Sequence, residues 1–252
     1  MTRSKHYKTN AVVIKSTPLG EADQIVTFLT PNIGKVKAVA RGSRRTKSKS
    51  RGHLELFNHV SISVAQGKTL DVLTEIDTIR TFRSFRTHLQ RMSIAFYVAE
   101  LSDAFSTEDV DQLGIYTLVI DTLKRLEKTE QFSVLLRHFE MNLLECSGFK
   151  PELHHCVECW STLEIQKQFF DSMSGGCVCP SCKSSNHNKL MSVSINAMKV
   201  MRLLQREQSI SVIEEIEIPQ YVLIEVEQVL RTHLKYLIEK DMKSIKFINL
   251  VS

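Results

Sequence analysis

The hydrophobic repeat of this chain changes period near residue 80, and that change constrains the fold more than any other feature. Before it, apolar residues alternate. "KVKAVAR" (35–41) places Val36, Ala38 and Ala40 on one face and Lys35, Lys37, Val39 and Arg41 on the other. "LELFNHVSISVA" (54–65) aligns Leu54, Leu56, Val60, Ile62 and Val64, with only Asn58 breaking the row. Its other face carries Glu55, Phe57, His59, Ser61 and Ser63. "AVVIKS" (11–16) and "QIVTFLT" (24–30) are short, β-branched and apolar, and "TLDVLTEIDTI" (69–79) repeats the period-two pattern. Period two is the signature of strands with one buried face. Five such strands in so short a span predict a small closed sheet, an OB-like barrel over residues 1–80.

Beyond residue 85 the spacing becomes helical. Leu89, Met92, Phe96 and Ala99 form one stripe; Leu113, Tyr116, Val119, Leu123 and Leu126 a second; Phe132, Leu135, Leu136, Phe139 and Leu143 a third. Each stripe predicts a helix with one buried face. Gly148 and Pro151 interrupt the pattern, and helical spacing returns at Ile195, Met198, Met201 and Leu204. Pro219 reads as the first residue of a last long helix. The expected class is therefore α+β and multidomain. A helical domain begins at 81–150 and resumes at 191–252, around an inserted segment at 151–190.

That segment holds "CVEC" (156–159) and "CPSC" (179–182), two C-x₂-C pairs nineteen residues apart. Two cysteines three apart direct both thiolates at one ion, and two such turns complete a tetrahedron. Cys156, Cys159, Cys179 and Cys182 are the candidate ligands of a structural Zn²⁺. A segment too small for its own core gains folding energy that way. Cys177 lacks the x₂ spacing to Cys182 and is a weaker competitor for Cys179. His154 and His155 adjoin the first pair as secondary candidates. Cys146 is expected as a buried small hydrophobe. The clustering of six cysteines argues for metal rather than a disulfide scaffold.

Charge is uneven. Residues 1–80 carry fourteen Lys/Arg against six Asp/Glu, a net +8, while the rest of the chain is net −3. Eight cations with no acid between them occupy residues 35–51: Lys35, Lys37, Arg41, Arg44, Arg45, Lys47, Lys49 and Arg51. Most lie in "ARGSRRTKSKSRG" (40–52), which must connect two barrel strands. Such a run meets a phosphate backbone by releasing counterions, with strong salt dependence and little sequence preference. Interspersed Ser43, Thr46, Ser48 and Ser50 suggest mobility in the unbound loop. Outward-facing Phe57 and His59 are candidates to stack on unpaired bases.

No phosphate-binding loop, dinucleotide fingerprint, zinc-protease helix or nucleophile elbow occurs in the sequence. The scattered acids suggest no two-metal nuclease centre. A binding protein is expected, and no enzyme. No stretch has the length and apolarity of a membrane span, and the basic start lacks a secretory core, so a cytoplasmic protein is the expectation.

Four stretches taken together resemble the RecO family of bacterial recombination and repair mediators. They are "TPLGEADQIVTFLTPNIGKVKAVARGSRR" (17–45), "PELHHCVECW" (151–160), "GGCVCPSC" (175–182) and "MKSIKFI" (242–248). The resemblance runs in order over nearly the whole chain. It implies an N-terminal OB domain, a helical bundle and a zinc segment inserted in that bundle. It also implies binding of single- and double-stranded DNA, strand annealing, a complex with RecR, contact with the acidic tail of single-strand DNA-binding protein, and help in loading RecA. Nucleoid association follows from such a role. Some members lack the zinc cysteines; here all four are present. The alternative is a zinc-stabilised scaffold that binds proteins only, without direct DNA contact.

Overall fold

The computed structural model describes residues 6–183 and 190–251. Residues 184–189 of the expected zinc segment lie outside the described residues. By contacts the chain divides into two compact units, Met1–Lys128 with Lys243–Ser252, and Thr129–Met242.

In the first unit, β1 (His6–Leu19), β2 (Asp23–Thr30), β3 (Gly34–Ala40), β4 (His59–Ala65) and β5 (Asp71–Arg80) close into a barrel of order β1-β2-β3-β5-β4. β1 pairs with both β2 and β4 antiparallel, and β3 meets β5 in a short parallel pair. This is the expected OB-like barrel. Its interior is the period-two face: Ala11, Val13, Val26, Phe28, Val36, Ala38, Ala40, Leu54, Val60, Ile62 and Val64. Burying such side chains contributes roughly 1.5–3 kcal/mol each for the larger ones. β1 and β2 are also buried on their outer sides, at Val12, Ile14 and Leu29, because helices cover them. This is why "AVVI" reads as an unbroken apolar run rather than an alternation.

The covering elements are a 3₁₀ turn (Arg83–Thr87), α1 (Leu89–Phe105) and α2 (Leu113–Leu126), and α7 (Lys243–Val251) packs on α1. The period reading anticipated one helical domain around the zinc segment. Instead α1, α2 and α7 cluster with the barrel, because the outer faces of β1 and β2 need a cover. α7 was not separated from the preceding helix in sequence. Glu239, in a left-handed conformation with φ 57°, ends that helix.

The second unit contains α3 (Phe132–Cys146), β6 (Gln168–Asp171), β7 (Gly176–Val178), β8 (Met191–Val193), α4 (Ile195–Arg206), α5 (Ile210–Glu214) and α6 (Gln220–Ile238). The three strands form a small sheet of order β7-β6-β8. Ser194 caps α4, its hydroxyl accepting from the Ala197 amide at 3.1 Å. α3 is buried nearly all round, so its polar residues are buried too. Arg137 and Glu140 are both fully buried and paired at 2.8 Å, and Glu227 on α6 reaches Arg137 at 3.0 Å. Each charge offsets the desolvation of the other.

Gly34, in the β2–β3 turn, has φ +71°, and a Cβ there would stand 2.3 Å from the Thr107 carbonyl oxygen. The Lys35 amide donates to that same carbonyl at 2.8 Å. Gly34→Ala should therefore destabilise the barrel by about 2–4 kcal/mol, from the left-handed backbone and the backbone clash together. Urea unfolding followed by circular dichroism checks this; an unchanged midpoint would refute it.

Candidate nucleic-acid interface and metal centre

The loop between β3 and β4 is pinned at its start by the β1–β2 turn. The Gly42 amide donates to Asp23 Oδ1 at 2.7 Å, and the Arg44 amide donates to the Ala22 carbonyl at 2.9 Å. The Arg44 guanidinium donates to the Gly20 carbonyl at 2.7 Å, and the buried Ser43 hydroxyl donates to the Ala40 carbonyl at 2.8 Å. Successive turns follow, closed by the Arg45 amide to Gly42, Ser48 to Arg45, and His53 to Ser50. The loop's far end is held by Asn58, which is buried and donates through Nδ2 to the carbonyls of Gly52 at 3.0 Å and His53 at 3.2 Å. Asn58 is the residue that breaks the alternation of 54–65, and this clamp is the reason for its polarity.

Backbone, small side chains and the Arg44 guanidinium do the anchoring, and the other long cations remain outside. Arg41, Arg44, Arg45, Lys47, Lys49 and Arg51 are all exposed. Their charges are gathered over one loop on a closed barrel, with phosphate-sized donors projecting into solvent. Asp23 was not singled out in sequence. Its signal is faint: an acid just after a Gly turn, beside a basic loop.

Lys35 and Lys37 are placed differently. Lys35 Nζ donates to the Asp103 carbonyl at 2.6 Å and pairs with its carboxylate at 3.1 Å. Lys15 pairs with the same carboxylate at 3.1 Å. Burial would raise the Asp103 carboxyl, but hydrogen bonds from Lys15 and Lys35 hold it below the usual value. Lys37 pairs with Glu108 at 2.8 Å, and that hydrogen bond raises its ammonium above the ordinary value. Lys35 thus spends its charge on α1, whereas Lys37 and Glu108, in the α1–α2 connection, form an exposed pair beside the loop's patch.

Phe57 requires a correction. It is not an outward stacking residue: it is 5% exposed, with its ring edge-on to Phe96 at 5.2 Å and Phe85 at 6.2 Å. β4 begins only at His59, and Phe57 has φ 72°, so the strand pattern does not extend back to it. The aromatic is turned under the helical cover instead. His59 is half-buried, its Nε2 2.7 Å from the Tyr116 hydroxyl. Burial first, then the nearby Lys124 charge, lowers the His59 imidazole below its ordinary value.

In the second unit, Cys156, Cys159, Cys179 and Cys182 converge. Their sulfurs lie within 4.8 Å of one another. The first pair turns through a bond from the Trp160 amide to the Cys156 carbonyl at 2.8 Å, and the second through Cys182 to Cys179 at 3.1 Å. Backbone bonds from Val157 to Cys177 at 2.9 Å and from Cys177 to Glu152 at 2.8 Å tie the first turn to β7. Gly176 permits that closeness, since a Cβ there would lie 2.6 Å from Val157 Cγ1 and 2.7 Å from the Glu152 carbonyl. Burial would raise the Cys156 thiol, yet backbone amides, including that of Cys179 at 3.3 Å, bring it below its ordinary value. The Ser161 hydroxyl, then other donors, draw Cys159 down to about 6. Cys182 is pushed up to about 12, chiefly by its hydrogen bonds to Cys159 and Cys179. Four convergent thiols, two inclined to ionise, suit a soft tetrahedral cation.

The competing candidates fall away. Cys177 is buried in β7, and burial pushes its thiol up to about 12. Neither His154 nor His155 belongs to the cluster; His155 stacks on Trp160, ring centroids 5.3 Å apart. Cys146 is exposed in the last turn of α3, contrary to the expectation of a buried hydrophobe.

A closed OB-like barrel with a cationic loop, joined in one chain to a helical unit bearing a four-cysteine cluster, defines the class. The family model "Recombination protein O N terminal" matches residues 1–82, and "Recombination protein O C terminal" matches residues 86–246. The chain belongs to the RecO family. It is similar to DNA repair protein RecO of Dehalococcoides mccartyi strain 195, at 38% identity over all of this chain and 98% of that protein. DNA repair protein RecO of Roseiflexus sp. is 33% identical over 98% of this chain and 86% of its own, and that of Desulforamulus reducens is 27% identical over 97% and 94%. No described helix is long and apolar enough to cross a membrane.

Two outcomes follow from the placements. Phe57→Ala should lower barrel stability by about 3–5 kcal/mol, as for a core aromatic. The fraction that remains folded should bind oligonucleotide as wild type does; a selective loss of affinity without loss of stability would restore a stacking role. Cys179→Ser should abolish high-affinity metal retention, read by elemental analysis of the purified protein, whereas Cys177→Ser should retain it.

Proposed function

We propose that this protein is a DNA repair and recombination mediator. It binds single- and double-stranded DNA through the β3–β4 loop, anneals complementary strands, and with RecR assists RecA loading on protein-coated single strands. The observation that carries this reading is the loop itself: six exposed cations with anchored backbone on a closed barrel. Family membership supplies the repair context, and the relatives are named DNA repair proteins.

Annealing needs no covalent chemistry, and no catalytic role is assigned to any residue. Two complementary strands repel through their phosphates. Arg41, Arg44, Arg45, Lys47, Lys49 and Arg51 lower that repulsion and concentrate both strands locally. Phosphate contacts carry no sequence information, so binding is largely sequence-independent. Lys35 and Lys37 contribute at most to the background field, since Asp103 and Glu108 already neutralise them. The acidic tail of single-strand DNA-binding protein is the proposed protein partner. Such a protein works in the cytoplasm, on the nucleoid.

Zn²⁺ is the proposed ion for Cys156, Cys159, Cys179 and Cys182. It supplies folding energy to a segment with little core of its own. The four thiolates fill its coordination sphere, which leaves the ion no place in annealing.

Oligonucleotide affinity measured against salt tests the proposal. Arg44→Ala/Arg45→Ala should weaken binding and reduce the slope of log K against log salt by roughly one to two. Annealing of bare complementary strands should slow in parallel. Unchanged affinity and slope would remove the loop from the interface.

A further inference from the structure

We propose that the thiol cluster is a modification site for hydroperoxides: Cys159 is oxidised at the surface and forms a disulfide with Cys179, which withdraws two of the four metal ligands. The inference rests on the reading of these cysteines as a metal centre.

The cluster has an inside and an outside. Cys156 is fully buried, and its sulfur accepts from the Cys179 amide at 3.3 Å. Cys179 and Cys182 are half-buried, and Cys159 is exposed. A ligand set sealed in a core is closed to small solutes, whereas this one presents a sulfur to water. Cys159 Sγ also lies 3.9 Å from Cys179 Sγ, across from the first cysteine turn to the second. The remaining approach, to the roughly 2 Å of a disulfide, is short for two turns at the surface. Cys177 does not compete, because it is fully buried and stands outside the cluster. Zn²⁺ has no redox chemistry of its own, so the thiolates are the reductant.

The Cys159 thiolate attacks a peroxide oxygen. The O–O bond breaks, a sulfenic acid forms, and the departing oxygen takes a proton and leaves as water or an alcohol. The Cys179 thiolate then attacks the Cys159 sulfur. An S–S bond forms, the S–O bond breaks, and the hydroxide takes a second proton and leaves as water. Two thiolates have given two electrons to one peroxide.

The change stays local. Leu153, Phe170 and Val178 are fully buried in the same segment. Arg202 donates through Nε and Nη2 to the Leu153 carbonyl at 2.9 and 2.6 Å, and Gln205 donates to the Pro151 carbonyl at 2.7 Å. Residues 151–153 are therefore held to α4 without help from the sulfurs. Trp160 is placed to register the bridge. It follows Cys159 directly, its amide donates to the Cys156 carbonyl at 2.8 Å, and its exposed ring stacks on His155. Drawing Cys159 towards Cys179 disturbs that turn. Trp160 is the chain's single tryptophan, so the emission of the whole protein reports on it.

The full-length, metal-bearing protein is treated with hydrogen peroxide beside a chromophoric chelator, at a concentration that leaves the untreated protein loaded. About one metal should be released per chain for about one equivalent of peroxide consumed. The oxidised chain should be lighter than its dithiothreitol-reduced form by a pair of hydrogens, with fragmentation placing the bridge at Cys159–Cys179. Tryptophan emission should change with the same time course while the helical circular dichroism signal persists. Dithiothreitol with added Zn²⁺ should restore both metal and emission. Cys146→Ser, which removes the exposed thiol outside the cluster, should leave the release unchanged.

Metal retained in protein whose Cys146 has already been oxidised would overturn the proposal, because peroxide would then have reached an ordinary surface thiol first. A bridge from Cys159 to Cys156, or oxygen added to Cys159 with no bridge, would overturn it as well. Absence of metal before treatment would remove the metal reading instead, and the mass of the oxidised chain would still decide the bridge.

Discussion

Closure of the barrel is the constraint on which the rest of the first unit depends. β1 bonds to β2 on one side and to β4 on the other, and a two-residue parallel pair between β3 and β5 closes the ring. Once β3 and β5 pair in parallel, the chain between β3 and β4 cannot run directly from one to the next. It must leave the strand layer, although Leu54 turns back into the barrel interior. Eighteen residues, 41–58, make that journey. The journey, rather than any property of arginine, puts the cationic run on the surface. What arginine and lysine add is the impossibility of burying it.

Two kinds of basic residue result. Those on the strand, Lys35 and Lys37, meet acids: Asp103 on α1 and Glu108 in the α1–α2 connection. Desolvating Lys35 without Asp103 would be costly, so the pairing is a condition of packing α1 on the sheet. Those on the loop have no cover above them, and of them only Arg44 also serves the fold, through its bond to the Gly20 carbonyl. Charge that the fold neutralises is structural. Charge that the fold collects and leaves exposed is available for a ligand. By that criterion the patch is smaller than the sequence suggests, but better defined.

The barrel was legible because period two survives any packing that buries one face. So was the thiol cluster, because C-x₂-C spacing constrains geometry locally. Phe57 was not legible. A strand continued backward from His59 would point it outward, and nothing local shows that the chain turns through φ 72° before the strand starts. Arg137 and Glu140 were equally hidden, for they look like the wet side of α3 and are fully buried. Their partner Glu227 lies ninety residues further along the chain, on α6. Asn58 was visible only as an irregularity. Its place in the alternation marked it as odd, and the carbonyls of Gly52 and His53 supply the cause.

The second unit shows how little sequence a small folded segment needs when a few contacts are obligatory. β6, β7 and β8 are three or four residues each and cannot bury a core. Phe170 and Val178 bury what they can, and the sulfur cluster closes the other end. Between them runs a ladder of backbone bonds through Glu152, Cys177 and Val157 that tolerates no side chain at Gly176. The same ladder fixes where residues 150–154 lie against α4. A cation bound by the four sulfurs therefore acts at a distance from itself. It would secure the segment whose carbonyls Arg202 and Gln205 grip, at Leu153 and Pro151.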